Sequence, residues 1–162
     1  MIDRADIDAF LAAPKASVAA MNWREKLSKK DPQWWEFVSA LEVGGVVMED
    51  AVFCVQWRSA KFGSQDKYNC ALLFKGLRVY AVDFDPDGQH TNKVGIGRPW
   101  YKKRFGPGAH EHTWSDDGEG YCEPIDPAFP NFQALFEYFC QHAKLNVSGG
   151  FVSPPSVQMP LL

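Results

Sequence analysis

The run YNCALLFKGLRVYAVDF, Tyr68 to Phe84, constrains this chain more than any other stretch. Two β-branched and aromatic segments flank Lys75-Gly76, the kind of short glycine-containing connection that closes a tight hairpin. Tyr68, Cys70, Leu72 and Phe74 alternate with Asn69, Ala71 and Leu73, so one apolar face is turned towards a core. HEHTW and GYCEPI form a second such pair around Ser115-Asp116-Asp117-Gly118, all turn-favouring residues. VVMEDAVFCVQWR reads as another hairpin, with its turn at Glu49-Asp50.

Helical punctuation appears in three places. Asp3 caps a short helix that carries Ile7, Phe10 and Leu11 on one stripe and stops at Pro14. DPQWWEFVSALEVGG predicts a second helix: Asp31 at the N-cap, Pro32 at the first helical position, Trp34, Phe37, Val38 and Leu41 apolar, and Gly44 as the stop. Asn131 caps a third, with Phe132, Leu135, Phe136 and Phe139 on one stripe. The expected fold class is α+β, an antiparallel sheet of about five to six strands with N-terminal and C-terminal helices packed on one face.

Residues 1–162 read as a single domain: 1–60 a helical N-terminal part plus the first hairpin, 67–145 the sheet and C-terminal helix, 146–162 an uncharged tail. The tail holds Phe151, three valines and two terminal leucines but also two glycines and three prolines, which argue against helix or central strand. It is expected to lie extended on its own domain; the alternative is docking on a partner or on a second copy, giving a homodimer.

Hydrophobic residues make up 46% and charged residues 23% of the chain, which suits a folded protein and excludes a disordered one. Cys54, Cys70, Cys122 and Cys140 are too widely spaced for a zinc finger or a disulfide framework. The N-terminus lacks the features of a signal peptide, and no run of about 18 apolar residues occurs, so the expectation is a cytoplasmic protein without a membrane partner. A net charge of −3 speaks against coating nucleic acid through global charge, yet the window from Gln89 to His110 carries +5, leaving −8 elsewhere.

That basic window contains GIGRPWYKKRFGPG, where Arg98, Lys102, Lys103 and Arg104 alternate with Trp100, Tyr101 and Phe105. Cations neutralise phosphates and aromatic faces stack on unpaired bases, so the mixture suits single-stranded nucleic acid; arginine and aromatics equally suit a protein interface. A solvated basic loop over packed aromatics would look the same. Just beyond it, GAHEHTW places His110, His112 and Trp114 on one face of a strand. The histidines suit a metal if a third ligand comes from His90, Asp83, Asp85 or Asp116, or an acid/base pair cleaving RNA, or simply a half-exposed strand. Cys122 and a histidine make a weaker thiol pair. DFDPDG matches the first half of a calcium loop, but Val94 stands where a bidentate glutamate is needed, so turn formation explains it better. Ser115 and Ser148 lack a nucleophile-elbow context. No cofactor is implied.

LLFKGLRVYAVDFDPDGQHTN, then GAHEHTW, then GYCEPI and a phenylalanine-rich helix, resembles an uncharacterised family of small phage and bacterial proteins. It is more remotely similar to TumE-like toxins of toxin–antitoxin modules. The resemblance spans residues 67–145 and implies a phage or mobile-element protein with Arg78, Asp83, His110 and His112 at recurrent polar positions. TumE-like members carry a denser histidine cluster than HEH, and residues 1–60 lie outside the resemblance.

Two functions follow from different classes. One is a non-catalytic accessory factor that binds a host or phage macromolecule, either single-stranded nucleic acid or a protein such as a host nucleic-acid-handling or defence complex, through Arg98, Trp100, Tyr101, Lys102, Lys103, Arg104 and Trp114. The other is a ribonuclease-like toxin with His110 and His112 as acid and base and the cations holding phosphates.

Overall fold

A computed structural model describes residues 2–27, 30, 32–60, 64–126 and 128–155. Among these, α1 (Arg4–Ala12) is followed by strands β1 (Lys15–Ser17), β2 (Arg24–Glu25), β3 (Trp34–Val43), β4 (Val46–Arg58), β5 (Lys67–Phe74) and β6 (Leu77–Asp85). After β7 (His90–Thr91) and β8 (Arg104–Phe105) come β9 (Gly108–Ser115), β10 (Gly118–Pro124), α2 (Phe132–Ala143) and β11 (Leu145–Asn146). One curled nine-stranded sheet runs β10-β9-β6-β5-β4-β3-β1-β11, with β2 on β3, and β7 and β8 form a separate pair.

This corrects the expected α+β class and its sheet of five to six strands: 46% of the described residues are in strands and 14% in the two helices. The largest error is the helix expected from Asp31 to Gly44; Trp34–Val43 is strand β3, and Asp31 itself lies outside the described residues. Burial along β3 follows a period of two, with Phe37, Ser39 and Leu41 inward, while Val38, which the helical stripe needed inside, is 39% exposed. Pairing with β4 along ten registers and with β1 on the other side overrides a pattern that satisfied both periods. Gly44 stops no helix; with Gly45 it forms the β3–β4 turn, both at positive φ (60° and 80°), as a type I′ turn requires.

Glu49-Asp50 is likewise no turn, because β4 runs through it. The register jumps there, Leu41 facing Met48 and Ala40 facing Val52, so Glu49, Asp50 and Ala51 are extra residues that bend the strand. The Lys75-Gly76 hairpin, the Asp116-Asp117 hairpin and the helices capped by Asp3 and Asn131 form as expected.

The inner face of the sheet holds the core. Phe53 stacks on Phe139 of α2 with centroids 5.5 Å apart, Tyr80 does so at 5.3 Å, Tyr68 meets Phe132 at 4.3 Å, and Phe74 stacks on Phe10 of α1 at 4.4 Å. Burying aromatics of this size contributes roughly 2–3 kcal/mol each. The described part of the tail lies against this core: Phe151 packs on Phe132 and Phe136, and the Trp23 indole donates to the Val152 carbonyl at 2.9 Å. Residues 156–162, the rest of the tail and of the alternative homodimer contact, lie outside the described residues. No described helix is long and apolar enough to cross a membrane.

Candidate functional site

Strand β6 departs from the alternation of a strand with one wet face: Val79, Tyr80, Ala81 and Val82 are all buried. Its inner face meets α2. Its other face lies under the excursion that joins β6 to β9, residues 86–107. Asn92 pins that excursion. Its side chain, 1% exposed, accepts from the Cys122 amide at 2.8 Å and donates to the Cys122 carbonyl at 2.7 Å and the Trp100 carbonyl at 2.9 Å. To β10, an edge strand, the Asn92 amide substitutes for the peptide of a neighbouring strand.

Beneath the cover, register brings together what spacing suggested. Asp83 on β6 is the Cα partner of His110 on β9; His112, two residues on, shares its face; and Cys122 on β10 is the partner of His112. The Asp83 carboxylate oxygen Oδ2 lies 3.1 Å from His112 Nε2 and 3.5 Å from His110 Nε2. His90 arrives from β7, and the ring centroids of His90, His110 and His112 are 4.9, 5.8 and 6.2 Å apart pairwise. Arg78 Nη2 stands 3.4 Å from His112 Nδ1. His110 is 9% and His112 5% exposed, so the expected half-exposed histidine face is instead an enclosed cluster, reached by a cleft of about 50 Å³ between Gln89, His90, Phe105, Gly106 and His110.

Burial sets the charge states. It works to raise the Asp83 pKa, but hydrogen bonds and charge from His110 and His112 outweigh it and hold the carboxyl well below the usual range. Burial lowers His112, with Asp83 opposing and Arg78 and His110 assisting, and burial followed by the His110 charge lowers His90. The Cys122 thiol is pushed up to about 12 by burial and then by the Asp83 charge, which leaves it protonated at neutral pH and weakens the thiol–histidine pairing as a nucleophile. Two buried polar atoms of the cluster lack a hydrogen-bond partner among the described residues: Asp83 Oδ1 and His90 Nε2. His110, His112 and Cys122 each offer a ligand atom within 4.8 Å of the others, so the cluster has the donor types of a transition-metal site.

The remaining carboxylates of DFDPDG point elsewhere. Asp85 takes the amides of Asp87 and Gly88 and pairs with Lys67, while Asp87 pairs with Arg58, which is turn construction rather than a calcium cage. Asp116 pairs with Arg4, away from the histidines.

The expected binding residues divide. Arg98 is consumed by structure: it donates to Thr113 Oγ1, Ser115 Oγ and the Trp114 carbonyl and lies 3.6 Å over the Tyr121 ring. Trp114 lines, with Arg98, Arg4 and Ile96, an open groove of about 590 Å³, and among the described residues it makes no ring contact with the histidines. Lys102, Lys103 and Arg104 are exposed, and with Lys93 they make no ion pair among the described residues. Lys102 lies over Tyr101 and Lys103 over Trp100. Reasoning from sequence missed Asn92 and the half-buried Glu111, which accepts from Tyr80 Oη at 2.6 Å and Tyr138 Oη at 3.4 Å; the one available signal was Glu111 facing the core on a strand. No protein-family model matches this chain, and no curated protein or solved structure matches it either.

Proposed function

We propose that this protein is a non-catalytic module that binds single-stranded nucleic acid on its excursion. One observation carries the reading: Lys93, Lys102, Lys103 and Arg104 are exposed and lack ion-pair partners among the described residues, on a segment pinned by Asn92 beside Trp100 and Tyr101. Cations left unpaired on an otherwise acidic body, beside aromatic rings, match the electrostatic and stacking demands of a flexible polyanion. A phage or mobile-element setting, with a nucleic-acid-handling or defence complex of the host as the wider target, rests on the resemblance of residues 67–145.

The ribonuclease alternative draws less support. His110 and His112 are enclosed, and both ring nitrogens of His112 are engaged, one by Asp83 and one by Arg78. A general base needs a nitrogen within hydrogen-bond reach of the substrate.

The test is fluorescence anisotropy with labelled single-stranded RNA and DNA across a salt series. Binding should weaken with salt, and K102A/K103A/R104A should reduce the slope of log K against log salt by about 2, at about 0.7 for each phosphate no longer neutralised. Binding that ignores these substitutions, or no binding at low salt, refutes the reading.

A further inference from the structure

We propose that Asp83, His90, His110 and His112 bind one divalent transition-metal ion of the Zn²⁺ class, which fastens the excursion to the sheet. The four residues come from three separate elements, β6, β7 and β9, and meet only in the folded chain. The spacing of Asp83, His110 and His112 fits a tetrahedral ion. Ligands at about 2.1 Å from zinc stand about 3.4 Å from one another, and imidazoles so bound have centroids about 5 Å apart. Asp83 Oδ2 lies 3.1 and 3.5 Å from the two Nε2 atoms, and the His110–His112 centroids are 4.9 Å apart. The His90 ring, at 5.8 and 6.2 Å, needs to move inward by about 1 Å, a small adjustment for a group on a loop-borne strand.

The unmet needs of the cluster point the same way. His90 Nε2 and Asp83 Oδ1 are buried without partners among the described residues, and an orphaned buried polar atom in a folded protein calls for an explanation such as an ion. Asp83, His90, His110 and His112 supply the four donors of a tetrahedron without Cys122, whose ligand atom lies within 4.8 Å of those of His110 and His112. Four protein ligands leave no open position, which makes the site structural. Arg78 opposes it. An ion on His112 Nε2 places the proton on Nδ1, and the guanidinium 3.4 Å from that nitrogen then has to step away.

The full-length protein, stripped with a chelator and confirmed folded by circular dichroism, is titrated with Co²⁺ and then Zn²⁺. The expected result is one Co²⁺ per chain with tetrahedral d–d absorption and no thiolate charge-transfer band, displaced by Zn²⁺, and a melting temperature that rises with Zn²⁺ concentration. H90A, in the short strand β7 of the excursion, should weaken Zn²⁺ binding at least tenfold, and D83N should do the same. C122S should leave binding unchanged and R78A should tighten it. A folded wild-type protein that takes up no stoichiometric metal overturns the proposal, as does unchanged affinity in H90A. A charge-transfer band that disappears in C122S overturns the ligand assignment.

Discussion

Asn92→Ala tests the claim that one side chain fastens the excursion to the sheet. The substitution removes three hydrogen bonds, of 2.7, 2.8 and 2.9 Å, at a residue 1% exposed. At about 1 kcal/mol net per bond the loss is about 3 kcal/mol, rising to roughly 5 if the Cys122 amide and carbonyl stay dry and unpaired. Set against a total stability of about 5–15 kcal/mol, that is a large fraction. Because two of the affected bonds join the excursion to β10 and the third braces it internally at Trp100, opening should be local first: Cys122 and Lys102, whose amide donates to the Asn92 carbonyl at 3.1 Å, should lose hydrogen-exchange protection before β4 and β5 do. Urea unfolding followed by tryptophan fluorescence gives the global loss, and exchange of the named amides gives the local one. Asn92→Asp keeps an acceptor for the Cys122 amide but discards both donors and buries a charge, so it should be no milder. A cost under about 1 kcal/mol for Asn92→Ala, with Cys122 still protected, would falsify the assignment.

Gly95→Ala should cost about 3 kcal/mol in urea unfolding, because Gly95 has φ +93° and a Cβ would stand 2.1 Å from Tyr121 Cδ2; a loss under about 1 kcal/mol contradicts the packing described for this turn. Lys15 is 3% exposed, its ammonium donating to the Leu11 and Ala13 carbonyls, and burial with help from Lys144 lowers its pKa to about 8. The unfolded chain therefore holds this proton more tightly than the folded one. The destabilisation is complete below pH 8 and is relieved as pH rises from about 8 to about 10.5, on the order of 1–2 kcal/mol after screening. The stability of Lys15→Met relative to wild type, measured by urea melts, should accordingly fall from pH 7 to pH 10; a difference that stays constant across that range contradicts the shifted titration.

Local chemistry was legible wherever one or two residues decide the backbone. Lys75-Gly76 and the side-chain caps at Asp3 and Asn131 act within a few residues of themselves, so reading them needs no knowledge of the rest of the chain. Trp34–Val43 was not legible, because its apolar residues satisfy a helical stripe and a strand alternation at once and only the flanking partners β4 and β1 choose between them. The site divides along the same line. Spacing put His110 and His112 on one face and marked Asp83 and His90 as companions, but their enclosure comes from a cover with no hydrophobic period. Arg98 looked like a phosphate ligand; its donors are instead taken by Thr113 and Ser115, which no count of charges along the chain reveals.

The parallel pairing of β1 with β11 has a consequence for the order in which the molecule is made. Lys15 takes Leu145 as its register partner, its amide bonds the Lys144 carbonyl at 2.8 Å, and the Lys144 ammonium returns to the Ala12 carbonyl at 2.9 Å. A chain growing from its N-terminus holds β1, β3 and β4 long before α2 exists to cover Phe53 and Tyr80. Until the last turn of α2 and the two residues of β11 leave the ribosome, the aromatic face of the sheet is wet and one strand edge is open. Contacts this distant along the chain also slow folding. The interval before α2 and β11 emerge is therefore when association with other nascent chains or with a chaperone competes most strongly.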